Sequence, residues 1–167
     1  MILKEVKNFP NPYVLILVGP PLSGKTTEIN TLLKQYPDTI VISRDKIVID
    51  LHSDDDYNVA FKSVSQKEVD KILHLNLLES SKSGKNVIVD MTNMTRKRRI
   101  QNLSYFDDKY YKSAIIFPIL SDKEYESRNE KRTISEKKTI SIHVIKNMIS
   151  SYQTLSKEEG FDKILSL

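Results

Sequence analysis

The 167-residue chain predicts an α/β fold, a parallel sheet of four to five strands with helices on both faces. Three observations carry this expectation. Short β-branched runs recur with apolar residues on both faces, helical patterns lie between them, and a glycine-bearing loop joins the first run to the first helix.

Residues 1–12 precede the first strand signal and read as an N-terminal extension of one domain spanning 1–167. Tyr13 to Val18 is the first expected strand, followed after the loop by a helix-compatible segment from Thr27 to Gln35. Thr39 to Ser43 is the second strand, with a helix beginning near Lys46. Asp54, Asp55 and Asp56 form a polar turn. Val69, Ile72, Leu73 and Leu77 repeat at i, i+3, i+4 and i+8, a helix closed by Gly84 just after Lys82. Asn86 to Asp90 and Ser113 to Leu120 are the third and fourth strands, and Lys163 to Leu167 is a weaker fifth. The stretch from about 121 to 150 reads as a lid with its following helix. Ligands of such a sheet bind beyond the carboxyl ends of its strands, so the residues that follow each strand carry the functional information.

Composition narrows the class. A chain of this length buries about two-thirds of its unfolded surface, enough for one core and too short for a second catalytic domain. With 39% hydrophobic and 29% charged residues, it has the balance of a soluble globular protein and not that of a disordered tail. The apolar run Val14 to Val18 falls far short of the ~20 residues that cross a bilayer, so no membrane is expected. The start Met1-Ile-Leu-Lys-Glu5 lacks the pattern of an export signal. The absence of cysteine excludes disulfides, thiol catalysis and Cys-ligated zinc, and makes a reducing cytoplasm the expected setting. The formal charge of +4 suits a polyanionic substrate but does not select one.

The first strand runs directly into Gly19-Pro-Pro-Leu-Ser-Gly-Lys-Thr26, which satisfies the phosphate-loop pattern G-x-x-x-x-G-K-[ST]. Gly19 and Gly24 permit close approach of the backbone, successive amides point at phosphate oxygens, and the next helix adds its N-terminus. Lys25 is expected at the outer phosphates and Thr26 at Mg²⁺. Ser23 and Thr27 complete the set expected at ATP or another nucleoside triphosphate. The competing reading, a strand-turn-helix corner that happens to hold two glycines, must place two of the chain's four glycines at the required positions with Lys-Thr behind them.

A phosphate loop identifies nucleotide binding and not a reaction. After the second strand, Arg44 and Asp45 place a cation and a carboxylate at the ligand edge. Asp45 is a candidate general base for transfer of the γ-phosphoryl to a hydroxyl, and equally a candidate cap for the helix at Lys46. The third strand ends in Asp90-Met-Thr-Asn93, the form of a Walker B carboxylate that holds Mg²⁺. Arg128 and Arg132 lie four apart on one helical face and are candidates for phosphate contact, against the alternative of a solvated charged helix. Arg96-Lys-Arg-Arg99 reads as a solvated helix face. His52, His74 and His143 lack metal-ligand spacing, and Tyr57, Tyr105, Tyr110 and Tyr111 could stack on bases but at their scattered spacing read better as core residues.

Taken in order, G-x-x-x-x-G-K-T, then Ser43-Arg44-Asp45, Val89-Asp90-x-Thr92-Asn93, and Glu126-x-Arg128-Asn129-x-x-Arg132 resemble the 5′-hydroxyl polynucleotide kinases, the kinase modules of polynucleotide kinase/phosphatase enzymes. The likeness runs from about Tyr13 to the C-terminus and includes Leu155-Ser-Lys-Glu-Glu-Gly-Phe161. It implies a P-loop NTPase fold, ATP and Mg²⁺ at Lys25 and Thr26, Asp45 as general base and Arg132 as lid arginine. It puts Arg44, Thr92 and Asn93 around an acceptor that is the 5′-OH end of RNA or DNA. A separate ligase or phosphatase acting in the same repair path is the implied partner. One position departs from the pattern: many members carry arginine three residues after the base, where this chain has Val48. That departure supports a second reading, a small-molecule kinase acting on a nucleoside, sugar or antibiotic. A third reading is a nucleotide-dependent switch without transfer.

Overall fold

The computed structural model describes residues 2–52, 56–136 and 138–167. Asp54 and Asp55 of the expected polar turn lie outside the described residues, whereas Asp56 caps a helix. Five strands form one sheet: β1 (Tyr13–Val18), β2 (Ile40–Ser43), β3 (Val87–Asp90), β4 (Tyr111–Ile116) and β5 (Lys163–Ser166). All pairings are parallel and the order is β2-β3-β1-β4-β5. The helices are α1 (Ile2–Val6), α2 (Lys25–Leu33), α3 (Arg44–Asp50), α4 (Tyr57–Ser63), α5 (Gln66–Lys82), α6 (Arg96–Leu103), α7 (Asp122–Glu136) and α8 (Ile142–Ser150), with a 3₁₀ turn at Lys157–Glu159.

Strand β1 is central and buried throughout. Its alternating side chains serve two cores, as the period of a strand requires. Val14, Ile16 and Val18 join Val48, Val69, Leu73 and Leu77 on one side, while Tyr13, Leu15 and Leu17 join Ile29, Leu32 and Phe117 on the other. Helix α1 belongs to the second core through Ile2 and Val6, and Phe9 after it joins the same core. Val48 is fully buried in the first core.

The expected strands lie within a few residues of those observed. β4 starts earlier than expected because the Tyr111 amide donates to the Pro12 carbonyl at 2.9 Å. It ends at Ile116, and Pro118 two residues on lacks the N–H needed to continue a ladder. The expected helix around Val69 is α5, capped by Ser65, with Val69, Leu73 and Leu77 buried.

Arg99 departs from expectation. Its side chain is fully buried, and its guanidinium donates to both Glu159 carboxylate oxygens at 2.7 and 2.8 Å and to the carbonyls of Asn93 and Met94 at 3.1 and 3.0 Å. The four basic residues Arg96 to Arg99 cover a full helical turn, so one of them faces inward, and its counter-charge lies 60 positions away. The solvated-face reading therefore fails for Arg99, which ties the loop after β3 to the 3₁₀ turn.

Candidate active site

Parallel pairing sends the loops after β1, β2 and β3 to one edge of the sheet. Ser43 and Asp90 are register partners there, and the Gly19 amide donates to the Thr92 carbonyl at 2.9 Å. The phosphate loop, the Asp45 turn and the segment from Asp90 to Asn93 thus face a single cleft of about 1340 Å³.

At the loop's start, a Cβ on Gly19 would stand 2.8 Å from the Phe117 Cβ and 3.1 Å from Ser23 Oγ, closer than packing allows. Gly24 has φ 103° and N-caps α2 with no side-chain hydrogen bond. The Glu28 amide donates to the Gly24 carbonyl at 3.2 Å, and the amides of Lys25, Thr26 and Thr27 precede it in the first turn. Such amides seek an acceptor from outside the helix, and a phosphate supplies one.

The buried Lys25 Nζ donates to the carbonyls of Gly19 at 2.9 Å and Pro20 at 2.7 Å and to Ser23 Oγ at 3.4 Å. Burial lowers its pKa to about 8, with Asp90 and Asp45 opposing the shift and Arg132 and Lys138 adding to it. A cation so poorly hydrated is stabilised by an incoming phosphate. The residues therefore fit a triphosphate. Thr26 and Asp90 are the hydroxyl and carboxylate that would hold Mg²⁺; among the described residues no cluster of three or more His, Cys, Asp or Glu could hold a metal ion. Burial raises the pKa of Asp90, partly offset by Lys25 and reinforced by Asp45.

A second part of the cleft is organised by Asp45. Ser43, not Asp45, caps α3: its Oγ accepts from the Lys46 amide at 3.4 Å. The Asp45 carboxylate is left free to meet two other groups. Oδ1 accepts from the Tyr57 hydroxyl at 2.8 Å, and Oδ2 is paired with Lys138 Nζ. Lys138 also lies 3.6 Å from the Tyr57 ring centroid, an arrangement that favours the charged amine. Burial pushes the Asp45 carboxyl up, but Lys138, the Tyr57 hydrogen bond and Arg132 together hold it below the ordinary carboxylate value. Burial also lowers Lys138, and Asp45 only partly restores it. Tyr57 shifts upward through burial and the Asp45 charge, so it remains a donor. Tyr57 packs against the first core as expected and also turns its hydroxyl to Asp45, while Lys138 was missed altogether. The second lysine of the pair Lys137-Lys138 carries no local signal.

The other expected residues divide. Arg128 of α7 donates to the Leu22 carbonyl at 2.9 Å, bridging that helix to the phosphate loop. Arg132 pairs with Glu136 at 2.8 Å and lines the cleft. Arg44 donates to Gln66 Oε1 at 2.7 Å and Asp70 Oδ1 at 3.4 Å on the cleft rim. Thr92 lines the cleft. Asn93 is 1% exposed: its Nδ2 donates to the Leu17 carbonyl at 2.7 Å and its Oδ1 accepts from Asn102 at 2.9 Å. The expectation of an acceptor contact by the Asn93 side chain is corrected on that ground, since both amide atoms are engaged within the protein.

A family model described as an AAA domain matches residues 14–155. No curated protein matches the chain. Among solved structures, a chain of the Pnkp1/Rnl/Hen1 RNA repair complex superposes with TM-score 0.69 at 21% identity, over 95% of this chain and 49% of that one. A fungal RNA kinase gives 0.62 at 22% identity, over 95% and 38%. Kti12 of Chaetomium thermophilum in complex with ADP-AlF3 gives 0.64 at 17% identity, over 92% and 88%. The chain spans less than half the length of the first two and most of the third. At these identities the likeness is one of fold.

Proposed function

Because the chain belongs to the AAA domain family, matched over residues 14–155, and has a kinase-like P-loop fold, we propose that it is an ATP-dependent polynucleotide kinase acting on the 5′-OH end of RNA or DNA. The observation that carries this reading is the Asp45 carboxylate, free of capping duty and lining the same cleft as Lys25 and Thr26.

In this reading the loop amides and Lys25 hold the β and γ phosphates, with Ser23, Gly24 and Thr27 at the same ligand. Mg²⁺ between Thr26 and Asp90 would neutralise charge on the phosphate oxygens. The acceptor hydroxyl displaces a partner of Asp45 and is oriented by the carboxylate. A bond forms between the hydroxyl oxygen and the γ-phosphorus as the bond from γ-phosphorus to the β–γ bridging oxygen breaks. ADP leaves, and the hydroxyl proton passes to Asp45. Because the transition state is loose, a carboxylate with a depressed pKa suffices: it aligns the alcohol and accepts the proton late. Arg132, free to swing from Glu136, neutralises charge on the transferring group. Arg44 and Thr92 are proposed on the acceptor side, a cytoplasmic setting is proposed, and a separate ligase or phosphatase is the proposed partner.

Labelled ATP and a 5′-OH oligonucleotide test the reading. Label should appear on the oligonucleotide; its absence while ATP is bound would end the proposal. A small-molecule acceptor is favoured by one observation: Val48, three residues after Asp45, packs in the core and brings no cation to the cleft. A shallow dependence of acceptor KM on salt would support that second reading, since binding several phosphates releases counterions.

A further inference from the structure

Helix α4 (Tyr57–Ser63) turns an aromatic face into the cleft beside Asp45. Tyr57 and Phe61 are four residues apart and therefore share one face, and their rings lie 6.0 Å apart with a 32° tilt. Tyr57 is fixed at one end by its hydrogen bond to Asp45. Phe61, one helical turn further along, is 43% exposed and lines the same cleft. The helix is held there from two directions. Asp56 caps its first turn with bonds to the Asn58 and Val59 amides, and the Asn58 amide, oriented to satisfy both partners, pairs with the backbone of Thr139 at 3.1 and 3.3 Å.

An isolated exposed phenylalanine calls for no explanation. Phe61 is not isolated. It sits in a concave site, against a second aromatic ring that touches the candidate base, with Lys62 and Arg98 lining the same cleft. An apolar ring one turn away from the tyrosine that bonds the Asp45 carboxylate, in a cleft that also holds Lys62 and Arg98, matches an acceptor that carries a flat π-face and a phosphate backbone on the same molecule. A sugar or another compact polyol lacks the phosphate backbone that would meet those cations.

We propose that Phe61 is a stacking platform for a nucleobase of the acceptor strand near its 5′ end, with Lys62 and Arg98 meeting the phosphates that follow. The proposal rests on the polynucleotide kinase reading and specifies how its acceptor is held. Base stacking is tolerant of sequence, because every base presents a π-face, so the platform selects single-stranded ends without choosing among bases.

The test uses the full chain and two 5′-OH hexanucleotides labelled at the 3′ end, one normal and one abasic at its first two positions. Fluorescence anisotropy measures binding and transfer from ATP is followed separately. The wild-type chain should bind the normal strand about tenfold more tightly than the abasic strand. Phe61→Leu should erase that difference and Phe61→Trp should keep it, with ATP affinity the same in all three proteins. Equal binding of the two strands, or no binding of either, overturns the platform. Transfer to both strands with equal KM would sink the platform alone and leave the kinase reading standing, whereas intact ATP binding without any transfer would sink that reading itself. A loss of ATP affinity in Phe61→Leu would assign the ring to the donor's adenine and also overturn the proposal.

Discussion

Lys138 Nζ forms an ion pair with Asp45 Oδ2 while packing over the ring of Tyr57, whose hydroxyl bonds the other carboxylate oxygen. Lys138 is 4% exposed and the Asp45 side chain is 53% exposed. The carboxylate is thus reachable from the cleft while its charge is held by a group behind it. Lys25, Arg132 and Asp90 are the other charged groups that act on this centre.

Removing the Lys138 cation should move the acid limb of the transfer rate. The folded-state pKa of Asp45 is depressed, so its ionised form persists below the ordinary carboxylate range. In Lys138→Met the depression is relieved and the limb shifts to higher pH. A kcat/KM profile measured from pH 4 to 8 checks this. An unmoved limb would show that Lys138 acts on packing alone.

Asp45→Asn should lower phosphoryl transfer by roughly 10²–10⁴-fold, the usual contribution of a positioned base. ATP affinity should hardly change, because no phosphate contact is lost. Isothermal titration with ATP beside a transfer assay separates the two quantities. A nucleotide-dependent switch would cycle its nucleotide regardless of this substitution.

Gly19→Ala places a methyl group 2.8 Å from the Phe117 Cβ. Overpacking of this kind costs about 1–3 kcal/mol, and the shift of the loop needed to relieve it should disrupt the anion cradle. Urea unfolding and ATP titration should both register the change. Gly84→Ala, with nothing within 4 Å of the added Cβ but a left-handed φ of 68°, should cost about 1–2 kcal/mol of backbone strain while leaving ATP affinity unaltered, which separates a loss of stability from damage to the cradle.

Arg99→Met leaves Glu159 as a buried carboxylate without its guanidinium, and such half-broken pairs cost about 3–5 kcal/mol. The double variant Arg99→Met with Glu159→Leu should recover a large part of that loss, because no charge is then buried alone. Denaturant unfolding of the two variants provides the comparison. Equal stability of single and double variants would show that the carbonyl bonds to Asn93 and Met94, and not the ion pair, dominate.

The strands and the phosphate loop were legible because their determinants are local. Tyr13 to Val18 is apolar at every alternate position on both faces, and Gly19, Gly24, Lys25 and Thr26 are spaced by the geometry of one loop closing on one anion. The helix at Val69 follows from a period of 3.6 in the same way. Local pattern was ambiguous at Asp45, where capping and catalysis call for the same residue type. The ambiguity ended only when Ser43 Oγ was found on the Lys46 amide.

The sequence by itself determined the α/β architecture and the phosphate loop, since both are written in short-range spacing of glycine, lysine and apolar residues. Only the tertiary structure decided that Lys138 and Tyr57 hold Asp45, that Arg99 is buried against Glu159, and that Asn93 faces inward. Those choices join residues up to 93 positions apart. The energy of a charge depends on its solvation and on the nearest counter-charge in space, and neither is defined until the chain has folded.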